Sequence, residues 1–94
     1  MLKDNKIAIL RGLLWQMEVE AGLVSLSQPQ RDVYYAACLV ADEEKIVHSE
    51  QVRQHPMIQV MARPTFYRAL RELVIEGHLA AATESKNGRY RVRR

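Results

Sequence analysis

Apolar residues recur at Ile7, Leu10, Leu14, Met17, Ala21 and Val24, spaced alternately three and four apart. Such spacing returns to one face of a 3.6-residue helix and predicts a first helix over residues 4–22, within an N-terminal segment 1–24. Ile9, Leu13 and Trp15 lie off this seam, so a second face of the same helix is also apolar. Two readings follow. The whole stripe is buried within one chain, or the helix packs on its own domain with one face and on a second copy with the seam Ile7, Leu10, Leu14, Met17 and Ala21. The second is favoured, because 94 residues leave little interior to cover both faces. Gly12 weakens the helix by about 1 kcal/mol relative to Ala and suits a close helix crossing. Trp15 is expected to anchor packing or an interface.

Ser27 followed three residues later by Gln30 is a capping box, and Pro29 is tolerated in a first turn where its missing N–H has no partner. The helix that follows is apolar nearly all round from Val33 to Ala41, which predicts the central and most buried helix. Cys38 is then expected to be a buried, inert thiol. Asp42-Glu43-Glu44 reads as a solvated exit loop and not as an acid/base pair, since no nucleophile stands beside it. Lys45 to His48 predicts a short strand, and Ser49 the N-cap of a short helix that ends before Pro56. Met57, Ile58, Val60 and Met61 are expected as core contacts.

Arg63-Pro64-Thr65 opens the next helix, with Phe66, Ala69, Leu70, Leu73 and Val74 on one face and Gly77 as its stop. Asn87-Gly88 between two extended runs predicts a hairpin. In its second strand Tyr90 and Val92 alternate with Arg89, Arg91 and Arg93, one face in and one basic face out.

Composition narrows the class. Hydrophobic residues make up 48% and charged residues 27%, the balance of one globular domain spanning residues 1–94. No apolar run reaches the ~20 residues of a membrane span. The N-terminus leads into an amphipathic stretch and not a signal peptide, so a cytoplasmic protein is expected. One cysteine excludes an internal disulfide, and no Cys/His cluster has zinc-site spacing. His48, His55 and His78 are spread over three elements, and no metal or cofactor is expected. Charge is uneven. Residues 1–44 hold four basic against seven acidic side chains, and residues 45–94 ten against four. The basic back half suggests an anionic partner, nucleic acid being the commonest.

Three stretches carry a family likeness: Leu26-Ser27-Gln28-Pro29-Gln30 followed by Val33; Arg63-Pro64-Thr65 with Leu70, Leu73, Glu76, Gly77 and Leu79 behind it; and Glu84 to Arg91. Together they resemble the winged helix-turn-helix superfamily, the MarR-type transcriptional regulators most of all, over about residues 25–94. The resemblance implies a mainly α fold with a small β-hairpin wing (α+β), here with an added N-terminal helix. The recognition helix would span about 63–76 and the wing about 79–93. It implies sequence-specific binding to double-stranded DNA by a small transcriptional regulator. Arg63, Thr65, Tyr67 and Arg68 would reach bases in the major groove, and Arg71 a phosphate. Lys86, Asn87, Arg89 and Arg91 would lie on the wing, against the backbone or in the minor groove.

The chain departs from that family in its turn, where Gln59-Val60-Met61-Ala62 carries no Gly. Ala62 stands where a Ser cap is usual, and Pro56 interrupts the preceding helix. The 94 residues hold no counterpart of the family's long C-terminal helices, which leaves the N-terminal seam to make a homodimer alone. Against DNA binding stands a plainer reading of these residues, a solvated helix face and a charged edge strand. The competing function is a protein–protein module in a larger assembly without DNA binding, a phage-related one being one option, with Tyr67 and the N-terminal seam as partner surfaces. An enzyme is the least supported class, for lack of a paired base and nucleophile, a phosphate loop or a metal motif.

Overall fold

A computed structural model describes residues 2–82 and 88–93 as a mainly helical chain with one small antiparallel sheet. The elements run α1 (Leu2–Ala21), α2 (Gln28–Val40), β1 (Ile46–His48), α3 (Ser49–Arg53), α4 (Pro56–Gln59), α5 (Arg63–Ile75), β2 (Leu79–Ala81) and β3 (Arg89–Val92). β3 is the middle strand, in the order β1-β3-β2. Val47 pairs with Tyr90 on one side of it, and Ala80 with Arg91 on the other.

Local chemistry sets most boundaries. Ser27 caps α2: its Oγ accepts from Gln30 N–H at 3.3 Å, and Gln30 Oε1 accepts from Ser27 N–H at 2.8 Å. This reciprocal pair satisfies two helix-end donors. α5 ends in a Schellman turn, with Gly77 N–H on Val74 C=O (3.1 Å) and His78 N–H on Leu73 C=O (2.9 Å). The turn needs a left-handed residue, and Gly77 takes φ +89°. Between α2 and β1, Asp42 Oδ1 accepts from the N–H groups of Glu44 and Ile46 at 2.8 and 2.9 Å. The acidic exit is therefore a tight loop held by its first carboxylate.

The core lies where α2, α5 and one sheet face meet. Val33, Ala36 and Ala37 of α2 face Phe66, Leu70 and Leu73 of α5, with Ile58, Val47, Leu79 and Val92 closing the sides, all buried. Gln30 Nε2 donates to Glu72 Oε1 at 2.6 Å, a polar tie between the two helices at the edge of this core. The Arg53 guanidinium sits 5.4 Å from the Phe66 ring centroid and holds α3 against α5.

Four expectations need correcting. α2 is not apolar-buried all round: Leu39 is 69% exposed, and Cys38 is exposed rather than interior. Its buried arc is the narrow one of Val33, Tyr34, Ala36 and Ala37, against which α5, α3 and α4 pack. α3 is capped by His48, not Ser49: Nδ1 of His48 accepts from Glu50 N–H at 3.1 Å, and Gln51 Oε1 returns the bond to His48 N–H. Ser49 N–H instead donates to Gly88 C=O at 2.8 Å. Of the four apolar residues expected in the core at 57–61, only Ile58 is fully buried. Met61 packs at the core's margin, Met57 is exposed, and Val60 is 90% exposed. His55 caps α4 through Nδ1 on Met57 N–H (3.1 Å), and this turns Met57 and Val60 outward.

α1 stands apart from the core. Among its described side chains only Glu18 is buried, and seam and off-seam residues alike are exposed. A Cβ at Gly12 would meet nothing within 4 Å, so no helix of the same chain crosses there. The protein is accordingly elongated, 50 × 27 × 25 Å.

Candidate nucleic-acid interface

α5 begins at Arg63 with Pro64 in its first turn, and its cap residue Ala62 offers no side-chain acceptor. Its first backbone donors are thus not taken up by a cap, and Arg63 is exposed beside them. With Phe66, Ala69, Leu70 and Leu73 turned to the core, the helical repeat puts Pro64, Arg68, Arg71 and Ile75 on the opposite face, all exposed. Arg63 flanks this stripe. None of the three arginines makes an ion pair with an acid of the described residues. Glu72, the acid nearest in sequence, is turned aside and bound by Gln30. Among the described residues the stripe is therefore positive charge without an acidic partner.

The other predicted residues are distributed unevenly around it. Tyr67 is not freely exposed. It is half-buried, packs edge-on to Phe66 with centroids 4.8 Å apart, and carries the Arg63 guanidinium 5.8 Å from its ring centroid. It acts as a stacked platform that positions Arg63. Thr65 is half-buried on the flank towards Glu72. Tyr90 of β3 lines one groove with Tyr67, Arg71 and Ile75, of about 360 Å³, so β3 and α5 meet along that side.

Arg89 and Arg91 are the neighbours of Tyr90 in a strand, so they point to the opposite sheet face. Arg89 lines a groove with Asp42, His48 and Gln51, and Arg91 Nη1 donates to Glu44 C=O at 3.1 Å. The structure does not bring these two arginines onto the α5 stripe. Lys86 and Asn87 lie outside the described residues.

Two exposed apolar residues escaped the sequence reading. Val60 sits in the turn before α5, and Ile75, 75% exposed, lies in line with Arg68 and Arg71. The signal for Ile75 was present, since it falls seven residues after Arg68 on the polar face. No signal marked Val60, whose apolar character argued for burial.

No group of three or more His, Cys, Asp or Glu side chains among the described residues is placed to hold a metal ion. His48 and His55 serve as caps, and His78 lies edge-on to Tyr34 at 5.7 Å. No helix of the described residues is long and apolar enough to cross a membrane. Comparison with family models, with curated proteins and with solved structures finds no match to this chain.

Proposed function

We propose that the protein is a winged helix that binds double-stranded DNA in the cytoplasm as a small transcriptional regulator, with α5 in the major groove. The carrying observation is the exposed Arg68–Arg71 stripe on α5, flanked by Arg63 and, among the described residues, free of acidic partners. Support comes from the order α2, β1, a broken helix, α5, β2, β3 with β3 between the other two strands, which agrees with the resemblance in residues 25–94. On this reading Arg68 and Arg71 reach base edges or phosphates, Arg63 meets a phosphate from its Tyr67 platform, and Ile75 and Val60 offer apolar contacts of the kind thymine methyls accept. The uncapped α5 start adds backbone donors for a phosphate. Arg89 and Arg91 are assigned no base contact, because their sheet face turns from α5.

Val60 and Ile75 also support the competing reading, a protein-binding module, since exposed apolar side chains beside charge suit either partner. Salt separates the two. Fluorescence anisotropy with a labelled mixed-sequence duplex should show binding in the ~10⁻⁴–10⁻⁶ M range that weakens steeply with salt, by a log–log slope near −0.9 per phosphate neutralised. Arg68→Glu, on an exposed site, should lose at least tenfold in affinity while circular dichroism stays unchanged. No binding at low salt by the folded protein, or full affinity in Arg68→Glu, overturns the reading.

A further inference from the structure

We propose that α1 is the docking surface for a second copy of this chain, the two helices pairing antiparallel about a two-fold axis at Leu13. α1 turns Arg11, Leu14, Trp15 and Glu18 towards the groove it shares with α2. The helical repeat then puts Ile9, Leu10, Leu13 and Met17 on the outer side, each between 50% and 64% exposed. This outer stripe is rotated from the Ile7-Leu10-Leu14-Met17-Ala21 seam, because Leu14 is drawn to the groove. Ile9, Leu10, Leu13 and Met17 leave on the order of 500 Å² of mostly apolar surface on one side of α1, the scale of the largest and often functional patch of a typical monomer, ~300–600 Å². Two helices paired along it bury less than the ~800 Å² per partner of a standard interface, which suits a dimer that dissociates on dilution. In proteins most of a helix's stability comes from packing of its apolar face, which the rest of this chain does not supply to the outer side of α1.

Charge identifies the occupant and its direction. The outer stripe is closed by Lys6 at one end and Glu20 at the other, both exposed. They stand fourteen residues apart, about 21 Å along the helix, with Leu13 midway. A two-fold axis at Leu13 sets Lys6 of each copy against Glu20 of the other and Ile9 against Met17. A parallel pair sets Lys6 on Lys6 and Glu20 on Glu20. The stripe is thus complementary to its own inverted copy, as a closed symmetric interface requires. The proposal does not rest on DNA binding, and its test uses no DNA.

Sedimentation of the full chain should show a dimer that dissociates on dilution. Lys6→Glu should weaken it roughly tenfold or more, and Lys6→Glu combined with Glu20→Lys should restore it. In a Cys38→Ser background, mixed Ile9→Cys and Met17→Cys chains should crosslink on oxidation, and Ile9→Cys alone should not. All these sites are exposed, so the fold is retained, and circular dichroism checks it. A monomer at every soluble concentration, a dimer indifferent to Lys6→Glu, or efficient self-crosslinking of Ile9→Cys each overturns the proposal. The last would mean a parallel pair.

Discussion

α1 and α5 are both rich in apolar residues, yet the 20-residue helix buries one described side chain and the 13-residue helix buries four. In α5 the apolar residues Phe66, Ala69, Leu70 and Leu73 fall on one arc, and that arc fits against α2. In α1 they are spread around the helix and no element of the same chain covers them, so a polar residue, Glu18, makes the contact to α2 instead. Burial follows from the angular concentration of apolar positions more than from their number. The sharpest way to break this comparison is truncation in each helix. Phe66→Ala should cost about 3–5 kcal/mol of folding stability, a large part of what a domain this size possesses. Leu10→Ala should stay within about 0.5 kcal/mol in dilute denaturant unfolding. An equal, concentration-independent loss at Leu10 would mean that α1 is packed into the core after all.

The join between the two regions gives the next effect. Tyr35 OH of α2 donates to Glu18 Oε2 at 2.5 Å, and Arg31 Nε lies 3.9 Å from the same oxygen. Burial, and then the hydrogen bond to the adjacent carboxylate, hold the Tyr35 phenol well above its usual pKa, so it remains a donor through the neutral range. Tyr35→Phe leaves a buried carboxylate with a single distant cation. The expected loss is about 1–3 kcal/mol. Amide exchange should accelerate in the last turns of α1 and not in α5. Exchange accelerated equally in both would show that α1 and the core unfold as one unit.

Where the sequence could be read, the signals were local. The Ser27–Gln30 box and the Gly77 stop each depend on residues within one turn, and both stand in the structure as expected. What escaped depended on distance or on an uncommon side chain. The β1–β3 pairing joins residues more than 40 apart, which no short pattern encodes. For that reason the alternation of Arg89, Tyr90 and Arg91 was legible, but not which side of the sheet α5 would take. His48 displaced Ser49 as a cap because an imidazole Nδ1 serves as acceptor as well as a hydroxyl does, and Ser49 N–H was needed by Gly88. A Cβ at Gly88 would meet Ser49 Oγ at 2.8 Å, so that approach depends on glycine. In the candidate site the helix and its arginines were legible. The stacking of Tyr67 under Arg63 was not, since it depends on Phe66 filling the core first.

Cys38 gives the smallest effect and tests the same lesson on α2. It was expected to be inert through burial, and the structure exposes it beside Tyr34, Asp42 and Lys45. Its ionisation is set by other effects. Partial desolvation pushes the thiol pKa up, against weaker lowering by the Tyr34 hydrogen bond and the Lys45 charge. Less thiolate is present at a given pH than in a free cysteine, and the thiolate is the reactive form. Alkylation of the folded protein should therefore run slower than that of a short cysteine peptide near pH 8. The difference should narrow as pH rises above the ordinary thiol range, because the folded thiol ionises last. Alkylation faster than the peptide's would mean that the Lys45 charge and the Tyr34 hydrogen bond outweigh desolvation at this site.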